Sequence, residues 1–451
     1  MSSEKKVQFR SKLGLIAATV GSAVGLGNIW RFPAEVQAGG GAAFLVIYVI
    51  CVLLLGIPVM LAEFSLGRAG GTDAIGAFSK VSPKGKQWSW VGGLSVLTAF
   101  LILIFYVVVT GWTFEYTWQS LTGDLYAGGH DTAGFSGKME QYIESGTRPL
   151  VFSLVVVALN LCILLGGVTK GIERLSNVLM PMLFVLLLVF CGVSMTLPKA
   201  TEGLEFFFRP DFSKVTPRVW LSALGQAFFS LSLGMGILIT YASYYPRNTK
   251  LVRTATTVSL LDMLVAVMMG VIIFPAVVSF GLTGESLKGT ALVFVTLPEV
   301  FAQLPAGRVW SVLFFLLLSI AALTSTVSIA EVTIRTLQDR LHLSRRAACL
   351  WLMCPMFVLS GVCAMSVGPW SGYRIFGKTM FDFLNDITAN WMLPIASIGL
   401  CIFVGWVAPR TLLRDQLSNH GTLRSRLFRP SLFIIRYLAP VLILLVLIGG
   451  L

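Results

Sequence analysis

Long stretches without a charged residue are the feature that most constrains what this chain can fold into. A helix needs about 20 mostly apolar residues to cross a bilayer. Ten stretches meet or approach that length, one of them interrupted only by Asp262, and a shorter eleventh does so if Arg436 at its start snorkels to the interface. The eleven predicted spans are 13–30, 42–62, 88–114, 149–169, 175–198, 219–246, 254–284, 309–330, 347–373, 387–409 and 437–451.

The composition agrees with a chain whose solvent is mostly lipid. Of the 451 residues, 56% are hydrophobic and 12% are charged, whereas about 25% of the residues in an ordinary soluble protein are charged. A membrane β-barrel is excluded, because its strands would alternate polar and apolar residues and these runs do not. We therefore predict an all-α polytopic membrane protein that forms a single transporter-sized domain over residues 1–451.

The basic residues predict the orientation in the membrane. A net charge of +13 would suggest nucleic-acid binding in a soluble protein, but cytoplasmic loops rich in Lys and Arg explain it here. With a cytoplasmic N-terminus, 23 of the 34 Lys and Arg residues fall inside, ten fall outside and Arg31 lies within the first span. We expect a multi-pass protein of the cell membrane (inner or plasma membrane), with its C-terminus outside after eleven spans. The lipid bilayer is an expected partner, whereas nucleic acid and an obligatory protein partner are not.

Spans 1 and 6 carry glycines at their middle, Gly21, Gly25 and Gly27 in one and Gly234 and Gly236 in the other. Glycine loosens a helix and lets its backbone approach a ligand closely. A break inside the bilayer is tolerated only around a cavity or a ligand, so a matched pair five spans apart indicates a transporter built from inverted repeats. The repeats would be 12–198 and 218–409, followed by an eleventh span at 431–451. For either segment alone, ordinary packing of small residues is the alternative.

Several polar or charged residues fall at membrane depth, where charges are costly and usually functional. They are Asn28, Arg31, Glu63, Asp262 and Glu331. Arg31 and Glu63 could instead lie at an interface. Asp262, well inside span 7, requires a cation or a proton.

One motif identifies a family. The run GSAVGLGNIWRFP at 21–33 resembles the first span of the neurotransmitter:sodium symporters, which share the LeuT fold, and further matches follow at 56–58 (GIP), 171–174 (GIER), 226–236 (QAFFSLSLGMG) and 321–325 (AALTS). The resemblance implies a 5+5 inverted repeat with unwound spans 1 and 6, plus an eleventh span and no twelfth. It also implies a sodium-coupled symporter that works by alternating access and is not an enzyme.

By that resemblance the chain binds Na⁺, two ions in all. One site would use the carbonyls of Gly21, Val24 and Ala321 and the hydroxyls of Thr324 and Ser325. The other would use the Ala23 carbonyl and the side chains of Asn28, Ser230 and Asp262. Neutral carbonyl and hydroxyl oxygens suit Na⁺ better than Ca²⁺.

Asp262 departs from the family pattern, in which asparagine or serine is usual. Many animal members need chloride near this sodium, and some bacterial members carry a glutamate four residues further on, where this chain has Ala266. Because Asp262 brings its own negative charge, we expect that chloride is not required. A proton at Asp262 in place of one sodium ion is the alternative.

The resemblance places the substrate between the two breaks. Its carboxylate would meet the N–H groups of Leu26 and Gly27 and the hydroxyl of Tyr106, since free helix N-termini favour an anion. Its amine would meet the carbonyls of Ala23, Phe229 and Ser230. Monoamine carriers have an aspartate at the position of Gly25, so an α-amino acid is favoured here.

The predicted side-chain pocket is uncharged, so charged amino acids would be buried in it without partners. Its residues are Ile102, Tyr106, Phe229, Ser232, Met235, Ser325 and Ile329. Met235 is flexible and makes good contacts with aromatic rings. The sequence therefore predicts import of hydrophobic L-amino acids, namely Trp, Tyr, Phe, Leu and Met.

Gates are expected on both sides of this pocket. Outside, Tyr106 and Phe229 would cover the substrate and Arg31 would pair with Asn385 or Asp386, of which we choose Asp386. Inside, Lys6 would pair with Asp339, supported by Tyr244. In span 5, Gly171 and Pro181 resemble the motif whose unwinding admits water to a sodium site; a plain helix start and a proline kink are the alternative.

A membrane amino-acid sensor without transport is the alternative function that the sequence cannot separate from a symporter. An ion channel is less favoured because there is no ring of like charges, and an enzyme because the three histidines lack a spaced set of partners.

Overall fold

The computed structural model describes residues 8–83, 85–128, 131–281, 289–424 and 426–449. Over those ranges the chain is almost entirely helical, and pairing between extended segments is limited to two isolated bridges. The helices are α1 (Lys12–Ala23), α2 (Gly27–Ala38), α3 (Ala42–Gly70), α4 (Ala74–Val81), α5 (Ser89–Thr122), α6 (Thr132–Ser145), α7 (Thr147–Leu165), α8 (Val168–Ser194), α9 (Ala200–Phe208), α10 (Pro217–Ser230), α11 (Ile237–Ser243), α12 (Leu251–Ser279), α13 (Leu292–Ala302), α14 (Gly307–Leu341), α15 (Arg345–Val367), α16 (Met380–Val407), α17 (Leu412–Leu417) and α18 (Phe428–Gly449).

Nine helices of the described chain are long and apolar enough to cross a membrane, and the pair α1 and α2 gives a tenth crossing if it is counted as one bent span. A helix or a broken pair of helices stands at each of the eleven predicted spans. The predicted sixth span is the pair α10 and α11, and each of these is too short to cross alone. The all-α membrane architecture predicted from the sequence is confirmed.

Both predicted helix breaks are present. α1 ends where Val24 turns extended (φ −67°, ψ 109°), and α2 continues at 65° to it. Between α10 and α11 the backbone enters the left-handed region three times, at Ser232 (φ 54°), Gly234 (φ 81°) and Gly236 (φ 73°). Glycine adopts such angles freely, whereas Ser232 does so under strain and is held by its neighbours.

The broken pairs lie at the centre of the bundle. α1 packs against α8, α12 and α14, and α11 packs against α3. The long helices α5 and α14 run against each other beside them. Packed helices therefore surround the two breaks and supply side chains to them.

We call the side of the molecule where α1 begins the N-side, and the side where α2 ends the far side. On the N-side, Phe9 packs edge-on against Tyr241 and Tyr244, with ring centroids 5.9 and 6.3 Å away. The Tyr244 hydroxyl donates to the buried Glu331 carboxylate at 2.7 Å. Arg345 donates to both oxygens of Glu331, at 2.7 and 2.6 Å. These contacts close the N-side around the start of α1.

Removing the Arg345 guanidinium should destabilise the fold strongly. Glu331 is fully buried, so Arg345→Met leaves an uncompensated carboxylate, which typically costs about 3–5 kcal/mol. We expect a clear fall in the melting temperature of the purified protein, measured by its thermal unfolding in detergent. Arg346→Met, at the exposed neighbouring position, is the matched control. An equal effect of the two changes would contradict the role of Arg345 as the residue that neutralises Glu331.

Candidate functional site

A pocket lies between the two helix breaks, with a cavity of about 30 Å³. Its lining comes from α1, α2, the two breaks, α5, α10 and α14. The lining residues are Ser22, Ala23, Gly25, Gly27, Asn28, Ile102, Tyr106, Phe229, Ser230, Ser232, Met235, Ser325 and Ile329. The structure thus brings together the residues predicted for the substrate, with Leu26 joining through its backbone. Ser22 also lines the pocket, but it was not among the residues predicted from the sequence.

The first break separates a carbonyl from the N–H group it would bind in a regular helix, and each finds a side-chain partner. The Leu26 N–H donates to the Tyr106 hydroxyl at 3.2 Å. The Ser22 carbonyl accepts from the Ser232 hydroxyl at 2.7 Å. Freed backbone groups inside a membrane protein require such partners. The strained Ser232 therefore ties the second break to the first.

The second break is held by a buried carboxylate. The Gly234 N–H donates to Glu63 Oε1 at 2.7 Å, and Glu63 is fully buried on α3. Glu63 therefore lies inside the helix bundle, against the second break. Its carboxylate supplies the acceptor that the unwound segment needs.

Neutral oxygens converge where α1 meets α14. The Ser325 hydroxyl lies 3.4 Å from the carbonyl oxygens of Gly21 and of Val24. The Thr324 hydroxyl lies 3.0 Å from the Ala321 carbonyl. All five predicted residues of this sodium site are buried, and uncharged carbonyl and hydroxyl oxygens suit a hard monovalent cation. We call this set the α1–α14 oxygen cluster.

A second polar cluster surrounds Asp262 on α12. Its carboxylate accepts from the Ser230 hydroxyl at 2.6 Å, from the Asn28 amide at 2.8 Å and from the Tyr48 hydroxyl at 3.2 Å. The Asn28 carbonyl oxygen lies 3.3 Å from Ser230 Oγ. Asn28 and Asp262 are fully buried, and Asn28 and Ser230 also line the pocket. Asn28 and Ser230 therefore lie between the Asp262 carboxylate and the pocket, and each of them contacts both.

Tyr48 is a member of this cluster that the sequence prediction missed. It lies on α3 and is fully buried. Residues 42–62 contain no other hydroxyl group, so a lone tyrosine in an apolar span was the available signal. Its membership depends on α3 packing against α10, which the sequence does not specify.

Phe229 separates the pocket from a cavity of about 720 Å³ on the far side, since it lines both. The larger cavity is also lined by Arg31, Glu35 and Asn390. A space of 30 Å³ is about the share of liquid volume that one water occupies. A solute much larger than a water molecule therefore fits only if the lining of the pocket rearranges.

The predicted far-side pairing of Arg31 with Asp386 is not formed among the described residues. Arg31 pairs instead with Glu35, at 3.7 Å, and its guanidinium lies 5.5 Å from the centre of the Phe229 ring. Asp386 pairs with Lys378 at 2.7 Å. The reason is proximity, because Glu35 is one helical turn from Arg31. The i, i+4 spacing of Arg31 and Glu35 was visible in the sequence. Nothing in the sequence indicated the contact between Asp386 and Lys378.

The predicted N-side gate is only partly within reach of the structure, because Lys6 lies outside the described residues. Asp339 accepts from the Thr72 hydroxyl at 2.7 Å and the Asp73 N–H at 2.8 Å, and pairs with Arg335 at 3.0 Å. The Arg335 guanidinium in turn lies 5.0 Å from the centre of the Tyr244 ring. Asp339 and Tyr244 thus belong to one N-side network, in which the sequence prediction missed Arg335 and Arg345.

The two predicted residues of span 5 lie at the beginning and in the interior of α8. Gly171 approaches α7 so closely that a Cβ there would lie 2.1 Å from the Ile163 carbonyl oxygen. Pro181 is inside the helix. The tight approach at Gly171 means that no larger side chain fits this packing.

Two broken helices around a pocket of backbone ends, neutral oxygens and a buried aspartate define a secondary transporter of the inverted-repeat class. Sequence comparison names the family. The chain matches the model of the Sodium:neurotransmitter symporter family over residues 6–132 and 137–451, and it belongs to that family. Its function is sodium-dependent membrane transport, and it is not an enzyme.

Three relatives illustrate the match. The chain is 36% identical to an uncharacterised sodium-dependent transporter, YhdH, of Bacillus subtilis, over 99% of this chain and 98% of the relative. It is 34% identical to an uncharacterised sodium-dependent transporter of Haemophilus influenzae, over 100% and 99% of the two chains. The crystal structure of MhsT in complex with L-phenylalanine superposes with a TM-score of 0.88 at 39% identity, over 99% of this chain and all of that one.

Tyr48→Phe should weaken sodium binding. The hydroxyl is one of three donors that hold the Asp262 carboxylate, and a hydrogen bond to a charged group contributes about 1.5–3 kcal/mol. Since about 1.4 kcal/mol corresponds to a tenfold change, the sodium concentration for half-maximal thermal stabilisation should rise roughly tenfold or more. Tyr437→Phe, at an exposed position, is the control. An unchanged sodium dependence in Tyr48→Phe would remove Tyr48 from the site.

Proposed function

We propose that this protein imports hydrophobic L-α-amino acids, including Trp, Tyr, Phe, Leu and Met, together with two sodium ions and without a need for chloride. The observation that carries the proposal is the pocket between the two helix breaks, which has an uncharged, mostly apolar lining. The sodium dependence is that of the family. The substrate, the stoichiometry and the chloride independence are the proposed part.

The two ends of the pocket support an α-amino acid. The N–H groups of the first break, beside the Tyr106 hydroxyl, suit a carboxylate, since helix N-termini attract anions. The carbonyl of Ala23 and those at the end of α10 suit an amine. An aspartate at position 25 would pair with an amine that lacks its own carboxylate, and this chain has Gly25 there.

The remainder of the pocket supports an apolar side chain. Ile102, Met235, Ile329 and Phe229 face it, and no charged residue lines it within the described chain. Burying an unpaired charge in such a lining is costly. MhsT, of similar fold, is known in complex with L-phenylalanine, which agrees with an aromatic substrate. Each buried methylene contributes only about 0.8 kcal/mol, so we expect broad selectivity among apolar amino acids.

The Asp262 cluster supports chloride-independent sodium binding. The carboxylate places one negative charge beside Asn28 and Ser230, which are the neutral ligands proposed for one sodium ion. An added anion is not needed to balance the cation there. Three hydrogen-bond donors hold the Asp262 carboxylate. Because sodium dependence is that of the family, we favour sodium over a proton at this position.

The asymmetry of the two sides supports alternating access. On the far side, Phe229 lies between the large cavity and the pocket. The N-side is closed by the Phe9 and Tyr244 rings and by the Glu331–Arg345 pair. The distribution of Lys and Arg supports a cytoplasmic N-side in the cell membrane. Substrate would then enter from outside past Phe229 and leave when the N-side opens.

The membrane potential alone supplies enough free energy for sodium-coupled uptake of the amino acid against a large gradient. One charge that crosses about 100 mV gains about 2.3 kcal/mol, so two sodium ions gain roughly 4.6 kcal/mol. Because a tenfold gradient corresponds to about 1.4 kcal/mol, accumulation of more than about a thousandfold is allowed before the sodium gradient itself is counted.

Gly25→Ala should impair substrate binding. A Cβ at Gly25 would lie 2.9 Å from the Tyr106 hydroxyl oxygen and 3.0 Å from Ser325 Oγ, so it would displace the group proposed to hold the carboxylate. We expect the apparent affinity for the amino acid to fall about tenfold or more, which is a loss of about 1.4 kcal/mol. The control is Gly93→Ala, where a Cβ would meet nothing within 4 Å. Equal affinities of Gly25→Ala and Gly93→Ala would contradict this placement of the substrate.

Substrate and ions can be tested on one preparation. In proteoliposomes with an inward sodium gradient, we expect uptake of labelled Trp, Phe, Tyr, Leu and Met, no uptake of Lys, Arg, Asp or Glu, and no change when gluconate replaces chloride. Counterflow of labelled substrate separates transport from sensing, because a sensor binds without exchange. An absolute requirement for chloride, or the absence of uptake of every apolar amino acid, would overturn the proposal.

A further inference from the structure

The N-side ends of α16 and α18 are joined through two wide helical turns. α16 ends in the turn Phe403–Val407, and α18 passes through the turn Ile434–Leu438 near its beginning. The guanidinium of Arg436 donates to the Gly405 carbonyl, and the indole N–H of Trp406 donates to the Arg436 carbonyl at 3.2 Å. A Cβ at Gly405 would lie 2.9 Å from Cγ of Arg436, so this close junction depends on glycine at that position.

Three exposed aromatic side chains cover the junction. The ring centroids of Trp406 and Tyr437 are 5.3 Å apart, and those of Phe433 and Tyr437 are 5.4 Å apart. The exposed fractions of Trp406, Phe433 and Tyr437 are 57%, 61% and 49%. We call these three residues the N-side aromatic group. Because Trp and Tyr are enriched at the level of the lipid headgroups, the group indicates where the membrane surface meets α16 and α18.

Arginines flank the aromatic group on its water side. Arg410 lies three residues after the end of α16. Arg429 lies four residues before Phe433 on α18, and residues four apart lie on one face of a helix. The Arg436 guanidinium lies 5.6 Å from the centre of the Trp406 ring. Positive charge and exposed rings therefore form one continuous surface.

The whole segment 410–429 carries an excess of positive charge that the described chain does not neutralise. It contains a single acidic residue, Asp415, and five arginines, all of them exposed, namely Arg410, Arg414, Arg424, Arg426 and Arg429. Among the described residues, none of these five side chains forms an ion pair or a hydrogen bond. An anion from outside the described chain would therefore find free guanidinium groups here.

This segment is fixed to the rest of the N-side by Arg68 at the end of α3. The Arg68 guanidinium donates to Gln416 Oε1 at 2.7 Å, to Asn419 Oδ1 at 3.0 Å and to the Thr249 carbonyl at 2.7 Å. α17, which lies within the segment, also packs against α3. The exposed arginines therefore belong to a surface whose backbone is held in place.

An apolar face continues from the aromatic group along α18. Val441, Leu444 and Leu445 follow the group in the chain, and their exposed fractions are 56%, 46% and 48%. A soluble acidic protein would meet only the arginines at the end of this face. A phospholipid matches both parts, because its phosphate is anionic and its acyl chains are apolar.

We propose that the N-side ends of α16 and α18 bind an anionic phospholipid of the N-side leaflet. Arg410 and Arg429 hold its phosphate, since guanidinium groups pair well with phosphate oxygens. The N-side aromatic group contacts the region between the headgroup and the acyl chains. The other arginines of the segment 410–429 add attraction for a negatively charged membrane surface, as clusters of basic residues next to a membrane helix do.

The test uses Trp406 as a reporter of the bound lipid. The full-length protein is reconstituted in phosphatidylcholine vesicles that contain increasing amounts of either phosphatidylglycerol or phosphatidylcholine with brominated acyl chains, which quench the tryptophans that they contact. The protein has 11 tryptophans, so the signal of Trp406 is obtained as the difference between the parent and Trp406→Phe. We expect brominated phosphatidylglycerol to quench Trp406 at about one tenth of the mole fraction that brominated phosphatidylcholine requires.

Two double variants with the same change of net charge separate the site from general electrostatics. In Arg410→Gln/Arg429→Gln, the two brominated lipids should quench Trp406 equally. The matched control is Arg253→Gln/Arg346→Gln, which removes two exposed arginines of the N-side on α12 and α15 and should keep the parent's preference. The comparison of the two lipids on the parent decides the question even if a double variant does not fold.

Equal quenching by the two brominated lipids in the parent would overturn the proposal. A loss of preference in both double variants would also overturn it, because net charge alone would then explain the effect. Binding of soluble polyglutamate to the parent without a preference for the anionic lipid would assign the arginines to an acidic protein instead. The readout requires neither sodium nor an amino acid, so it does not depend on the transported solute.

Discussion

Backbone groups that a helix leaves unpaired inside a membrane must find partners, and this requirement organises the centre of the molecule. Breaking α1 from α2 frees the Ser22 carbonyl and the Leu26 N–H, which Ser232 and Tyr106 satisfy. Breaking α10 from α11 frees the Gly234 N–H, which Glu63 satisfies. Tyr106 lies on α5, Glu63 lies on α3 and Ser232 lies in the second break, so these contacts fix how α3, α5 and the two breaks stand relative to one another.

The same partners create the chemistry of the pocket. The pocket lies between the two breaks, and residues of both breaks line it. Hydroxyls of Thr324 and Ser325 bring neutral oxygens to one edge of it, and Asp262 brings the negative charge to another through Asn28. The hydrophobic amino acid and the sodium ions that we propose as the transported species would complement this arrangement.

Closure of the two sides uses different interactions. On the N-side, aromatic packing around Phe9 and the buried Glu331–Arg345 pair hold α1 in place, with Glu173 at its cap. On the far side, a single ring, Phe229, lies between the cavity and the pocket. A buried ion pair thus closes the N-side, and one aromatic side chain separates the pocket from the far-side cavity. Such different closures suit a transporter that opens to one side at a time.

The sequence by itself determined the helical membrane fold and the two breaks, because lipid forces long apolar runs and because glycine at the centre of a span has few purposes. The residues that line the pocket were predicted from the resemblance of the sequence to the symporter family. The i, i+4 spacing of Arg31 and Glu35 also indicated their ion pair, but the sequence analysis chose Asp386 as the partner of Arg31. Only the tertiary structure decided that Tyr48 joins Asp262, that Arg345 neutralises Glu331 and that Glu173 caps α1. The partners in those three contacts are 214, 14 and 162 positions apart in the chain. Their meeting depends on how helices pack, which periodicity and composition do not specify.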